Sequence, residues 1–304
     1  MSSTLATPEV FTLGHSPDPD DAFMFYAMAA EKIDLRGHKF QHILQDIQTL
    51  NDRATRGELH ISAISIHAYA YVLDKYALLS CGASMGDGYG PVVISSSPAG
   101  LPAGVQAGDR AEILAWLKGK RVAIPGKLTS AFLSLQIYCG DQGFEFFVVP
   151  FDEIFDAVRS GRADAGLIIH EGQLTYQRDG FGKIVDLGEW WKAETGLPLP
   201  LGGNVIRKDL DPALRRELAE ILAESIDYGL KHRAAGVAHA MPLARGMDTP
   251  LADQFIGMYV NDYTRDYGDA GRRAIREFLG RAAAMGFIPA PVELEFVGYE
   301  PKNC

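Results

Sequence analysis

The residues of this chain best suited to chemistry stand directly after apolar runs. His170-Glu171 closes the run Ala165-Gly166-Leu167-Ile168-Ile169. An imidazole has an ordinary pKa near 6.5, so a small shift makes it a base at cellular pH. His170 is the first acid/base candidate among eight histidines, and His15 is a weaker one of the same kind. A lone histidine also serves often as a packed structural group, so both readings stand. The order of residues is not H-E-x-x-H, which removes the zinc protease reading.

Three other loops carry polar atoms in similar places. Ser62-Ala63-Ile64-Ser65, with Tyr69 a turn later, offers hydroxyls at a strand end that hold an anionic or carbonyl oxygen, or simply close an ST-turn. Gly126-Lys127-Leu128-Thr129-Ser130-Ala131 reads as strand, turn and helix start. Unpaired N–H groups at such a start suit a carboxylate, and helix capping explains the same residues. The G-x-x-x-x-G-K-[ST] frame is absent. Ser16-Pro17-Asp18-Pro19-Asp20-Asp21 offers three acids, either for a metal or for capping a proline-stiffened turn; the capping reading is preferred, because no His/Asp cluster supplies further ligands. Tyr89, inside a glycine-rich loop, is placed to stack on a ring, while Trp190-Trp191 reads as packing.

Alternating strand and helix signals must position these loops. Strands are expected at Val10 to Gly14, Lys39 to Leu44, Leu59 to Ser65, Ala77 to Cys81, Gly90 to Ser95, Arg121 to Ile124, Phe146 to Val149 and Ala165 to Ile169. Asp20 is the expected N-cap of the first helix, on the argument that Pro19 cannot lie inside one. Asp211-Pro212 opens a helix whose Leu214, Leu218, Ile221, Leu222 and Ile226 share a face. Two glycine- and proline-rich stretches, Ser96 to Gly108 and Gly196 to Gly203, read as crossings between lobes. The fold class is therefore α/β in two lobes. Residues 1–97 plus 204–304 form the larger, residues 98–203 the smaller, and the ligand cleft lies between them.

Bulk properties exclude several partners. The chain has 304 residues, 47% hydrophobic and 22% charged, with a formal net charge of −10. It has no basic run, so neither nucleic acid nor an anionic membrane is expected as partner. The stretch Gly88 to Gly108 is uncharged but interrupted by prolines, which rules out a membrane-spanning helix. The start of the chain has neither a positive n-region nor an apolar h-region, and three widely spaced cysteines fit no disulfide framework or zinc site. A cytoplasmic protein without metal or organic cofactor is expected.

As an ordered set, these segments resemble the 1,4-dihydroxy-6-naphthoate synthases of menaquinone biosynthesis by the futalosine route. The resemblance rests on Gly14-His15-Ser16-Pro17-Asp18-Pro19-Asp20-Asp21 through Tyr26, Asp46-Ile47-Gln48-Thr49-Leu50-Asn51, Ile61 to Ser65, and Gly88-Tyr89-Gly90-Pro91. It continues through Pro125 to Ala131, Ala165 to Glu171 and Gly196 to Gly203. It implies a periplasmic-binding-protein-like fold of type II with two hinge crossings. It also implies a carbon–carbon lyase acting on cyclic dehypoxanthinyl futalosine, a small-molecule carboxylate. The family's base falls on His170, and its substrate contacts on Ala63, Ile64, Ser65, Thr129, Ser130, Ala131 and Asn51, with Ser16 and Tyr89 in the matching motifs. This chain has Asp18 and Asp20 where some members have Cys and Asn, and Leu128 where some have His. Two alternatives are kept: the sister chorismate dehydratase, and a solute-binding protein without chemistry. The sequence sets no oligomeric state.

Overall fold

The computed structural model describes residues 10–97, 108–290 and 292–298. Twelve strands are found among them: β1 (Val10–His15), β2 (Lys39–Leu44), β3 (Ile61–Ser65), β4 (Tyr76–Leu79), β5 (Ser84–Gly86), β6 (Val92–Ser95), β7 (Arg121–Ile124), β8 (Glu145–Val148), β9 (Ala165–Ile168), β10 (Gly182–Asp186), β11 (Leu199–Arg207) and β12 (Phe296–Val297). They form two mixed sheets. The first runs β12-β4-β11-β3-β1-β2 with β5 paired to β11, and the second runs β10-β6-β9-β7-β8.

Each sheet has a parallel core. β1 lies parallel to β2 and β3, and β7 lies parallel to β8 and β9. Helices cover both faces, so strands such as β3 and β9 are buried at every residue and read as unbroken apolar runs. One apolar cluster is continuous through both sheets, joining Ile64, Leu78 and Val205 to Val122 and Leu167. The helix Pro212–Lys231 behaves as its spacing predicts. Asp211 accepts the N–H groups of Ala213 and Leu214, and Leu218, Ile221, Leu222 and Ile226 pack on Phe11 and Leu13 of β1.

Sheet membership differs from the expected lobe limits. Val92–Ser95, expected in the larger lobe, pairs antiparallel with β9 and β10 of the second sheet. Leu199–Gly203, expected in the smaller lobe, belongs to β11 and pairs with β3 and β5 of the first. The chain therefore changes sheets between Gly86 and Val92 and again between Asp186 and Leu199. The Gly196 to Gly203 stretch is mostly strand, and its Pro200 and Gly202 are accommodated where the ladder shifts register. Residues 98–107 of the other expected crossing lie outside the described residues.

The first helix also starts earlier than expected. It spans Pro19–Met24 with Asp18 as N-cap. Proline fits the first helical position because its missing N–H is not needed there.

Candidate functional site

A cavity lies where the post-strand loops of the two sheets meet. The first sheet contributes Ser16 after β1, Ala63, Ile64 and Ser65 of β3, and Gly202, Gly203 and Asn204 of β11. The second contributes Thr129, Ser130 and Ala131 after β7, and Ile169 and Gln173 after β9. Asp18, Asp20, Asp21 and Tyr259 complete one wall. This is the place where open α/β sheets hold ligands, outside the carboxyl ends of their parallel strands. Among the described residues no lysine, arginine or histidine lines it.

Two donor sets face this space. The first is Ser65. Asn51, fully buried, accepts the Ser65 N–H (2.8 Å) and donates its amide to Ser65 Oγ (3.0 Å). With its oxygen already accepting, the Ser65 hydroxyl is left to donate. The second set is the start of the helix Ser130–Cys139. Thr129 caps it by accepting the Phe132 N–H (3.2 Å). In such a first turn, the N–H groups of Ser130 and Ala131 have no partner within the helix, and the helix dipole adds positive character. The hydroxyls of Thr129 and Ser130 are bound inward, donating to the Gly126 and Leu201 carbonyls. The contact offered to a ligand is therefore main-chain N–H.

The two donor sets are locked together by residues that follow first-sheet strands: Asn51, expected as a substrate contact, and Gln48 and His67, which sequence reasoning did not single out. Gln48 accepts the Leu128 N–H (3.0 Å), and Asn51 also donates to the Leu128 carbonyl (3.3 Å). The His67 N–H donates to Ser130 Oγ (3.1 Å), and its ring lies 3.2 Å from the Thr129 carbonyl. Burial lowers the His67 pKa to about 4, so the ring is neutral. Gly126 permits this approach, since a Cβ there would sit 2.1 Å from Gln48 Oε1. Gln48 and His67 are each the second residue of the helix that follows a first-sheet strand.

The expected residues separate into two groups. Ser16, Ala63, Ile64, Ser65, Thr129, Ser130 and Ala131 line the cavity. Asn51 stands behind Ser65. Tyr89 is half-buried, donates its hydroxyl to the Met258 carbonyl and meets the Tyr259 ring edge-on at 5.9 Å. His170 does not line the cavity. Its Nδ1 accepts the Gly172 N–H (3.2 Å), and its Nε2 lies 3.1 Å from the Phe151 carbonyl, to which it donates. The cause is strand alternation. Ile169 continues the β9 face toward the cavity, so the next side chain turns the other way, against the Phe151 and Phe155 rings. Glu171 lies 3.3 Å from His170 Nδ1 and 3.2 Å from Arg245, which also pairs with Asp18 at 2.6 Å.

The acid loop does not act through its caps. Asp18 makes no capping bond; it accepts the Ser16 hydroxyl, while Asp21 accepts the Ser16 N–H (2.6 Å). Burial raises Asp21 to about 6 and Asp20 well above the usual carboxylate range. His15 is held down at about 4 by burial and by His42, whose Nδ1 lies 3.1 Å from its Nε2. Among the described residues no group of three or more His, Cys, Asp or Glu is placed to hold a metal ion. Trp191 is fully buried and donates to the Pro198 carbonyl (3.0 Å).

Comparison with known proteins decides which family uses this cavity. Residues 11–284 match the family model described as menaquinone biosynthesis. The chain belongs to that family. It is 39% identical to the Streptomyces coelicolor 1,4-dihydroxy-6-naphthoate synthase, covering 93% of this chain and 96% of that one. The Thermus thermophilus protein of the same name is 37% identical, with 93% and 98% covered. Among solved structures, a protein from Archaeoglobus fulgidus superposes with a TM-score of 0.83 at 42% identity, covering 92% and 98% of the two chains. The alkanesulfonate-binding protein of Xanthomonas axonopodis superposes at 0.68 with 13% identity, covering 97% and 100%. That likeness establishes the periplasmic-binding-protein-like fold alone. This family member has no described helix long and apolar enough to cross a membrane.

Proposed function

We propose that the protein is a cytoplasmic lyase converting cyclic dehypoxanthinyl futalosine to 1,4-dihydroxy-6-naphthoate. The observation that carries this is the pair of donor sets, Ser65 and the Ser130–Ala131 amides, brought from two sheets to one cavity. Such a site holds a carboxylate by main-chain dipoles without a buried cation. The full-length likeness to two proteins named 1,4-dihydroxy-6-naphthoate synthase supplies the reaction.

His170 is the proposed base. Its neighbours Ile169 and Gln173 line the cavity, and Glu171 beside Nδ1 would stabilise the imidazolium formed when the ring, neutral with its proton on Nε2, takes a second proton at Nδ1. The role requires the ring to leave the Phe151 carbonyl and turn past Ile169 when substrate binds. Ser65 and the helix start hold the aromatic carboxylate, and closure over the cavity excludes water.

The test is incubation of the purified protein with the cyclic substrate, followed by product detection. Binding without product favours a solute-binding role, and turnover of chorismate instead favours the sister dehydratase. A base contributes about 10²–10⁴-fold. His170→Ala should lose turnover of that order while melting normally and binding substrate. Unaltered turnover in that variant removes His170 from the mechanism.

A further inference from the structure

Three enclosed oxygen atoms of the cavity wall have no hydrogen-bond partner among the described residues, Asp18 Oδ1, Asp20 Oδ1 and Asn204 Oδ1; Asp18 Oδ1 is ion-paired with Arg245 (2.6 Å), which leaves Asp20 Oδ1 and Asn204 Oδ1 unmatched. Neither belongs to the donor sets at Ser65 and Ser130. Asn204 is only 1% exposed, and its orientation is fixed, because its amide nitrogen donates to the Gly82 carbonyl (3.1 Å). The same nitrogen touches Met24 Sδ (3.3 Å). Asp20 and Met24 are four residues apart on the helix Pro19–Met24, so they share a face. Asp20 thus shares a helix face with the methionine that Asn204 touches, and all three line the cavity.

We propose that Asp20 and Asn204 form a subsite for the aliphatic hydroxyl groups of the ligand. Buried polar atoms normally find a partner, and two unmatched ones that line the same cavity mark where a ligand supplies it. A hydroxyl is the group that satisfies both, accepting from a protonated carboxyl and donating to an amide oxygen. Asp20 is the acid that keeps its proton. Asp18 has Arg245 as counter-ion and Asp21 has the Ser16 N–H, while Asp20 has no counter-ion, only main-chain N–H groups of its own turn, and lies in the field of both. Tyr259, the other titratable group facing it, is itself bound to Gln173. An anion finds no donor at Asn204 Oδ1 and two carboxylates nearby, so the ligand's carboxylate belongs at the other end, by Ser130. The subsite rests on the reading of the cavity as the seat of a hydroxylated carboxylate, and it would hold the sugar-derived part.

Two ligands separate the ends: cyclic dehypoxanthinyl futalosine, and 2-naphthoate, which has rings and a carboxylate but no aliphatic hydroxyl. Dissociation constants are measured by calorimetry for the wild type, Asp20→Leu, Asn204→Leu and Asp20→Asn. The leucine variants should bind the hydroxylated ligand at least tenfold more weakly and 2-naphthoate within twofold of wild type. Asp20→Asn, which keeps a donor and an acceptor, should stay within about threefold for both. If a leucine variant does not fold by circular dichroism, the alanine variant at that position takes its place. Equal losses for both ligands, or no loss for either, overturn the subsite. So does failure of the wild type to bind the hydroxylated ligand. Turnover in the wild-type sample reports separately on the lyase: binding without product leaves the subsite standing and removes the reaction.

Discussion

The Arg245 guanidinium stands 3.2 Å from the Glu171 carboxylate, although the two belong to different halves of the fold. Glu171 follows β9 of the second sheet, while Arg245 lies among the helices that pack on the first. The same guanidinium pairs with Asp18 and lies 4.6 Å from the centre of the Phe151 ring. It therefore ties the acid loop, the His170 turn and the Phe151 segment at the edge of the cavity.

Arg245→Ala should change kinetics more than stability. The pair is partly exposed, and such pairs contribute about 0–1 kcal/mol to folding. The melting temperature should stay nearly constant. Loss of the tie between halves should lower kcat/KM roughly tenfold, the equivalent of about 1.4 kcal/mol. Steady-state kinetics beside a thermal melt checks this, and unchanged kinetics would remove the tie from the mechanism.

Asn51→Ala should destabilise the fold itself. The side chain makes three hydrogen bonds in full burial, two to Ser65 and one to the Leu128 carbonyl. Its removal leaves those groups without partners, at about 1–3 kcal/mol for each group left unsatisfied and so roughly 3 kcal/mol or more in all. Urea unfolding measures this directly. A loss below about 0.5 kcal/mol would mean that the bonds do not persist in solution.

Acid should weaken the fold through His67. Burial lowers its folded pKa to about 4 from 6.5, so the fold favours the neutral ring. The stability it allows is complete above pH 6.5 and is lost as the pH falls toward 4. About 2.5 pH units correspond to about 3 kcal/mol at the acid end. His15, also near 4, acts with the same sign. Asp21 and Asp186, raised to about 6, act oppositely: their contribution is present below 3.8 and lost as the pH rises to 6. The informative quantity is the difference between wild type and His67→Asn, whose amide can still donate to the Thr129 carbonyl. That difference should shrink from pH 7 to 4. A constant difference would place the His67 pKa elsewhere.

Gly188→Ala should be among the most damaging small substitutions. A Cβ there would lie 1.9 Å from the Tyr89 carbonyl oxygen, where two main-chain segments cross between the sheets. No side-chain rotation relieves a main-chain clash, so a loss above about 3 kcal/mol, or insoluble protein, is expected. Near-normal urea unfolding would show that the crossing is loose.

The sequence by itself determined the segmentation and the loops that matter. Apolar runs ending in polar residues located β3, β7 and β9, and the strand–turn–helix order located the helix start at Ser130 that lines the cavity. These features depend on neighbours in the chain, and local periodicity reports on them. Only the tertiary structure decided which sheet each strand joins. Val92–Ser95 reads as a strand equally well in either half, and Leu199–Gly203 reads as a crossing although it is a strand, because pairing is settled by distant partners. It also decided where side chains point. One residue of strand alternation sends Ile169 into the cavity and His170 away from it, toward Phe151. The partners of Ser65 and Ser130, namely Asn51 and His67, and the placing of Asp20 and Asn204 in one cavity wall, arise from contacts between segments far apart in the chain. No local pattern records them.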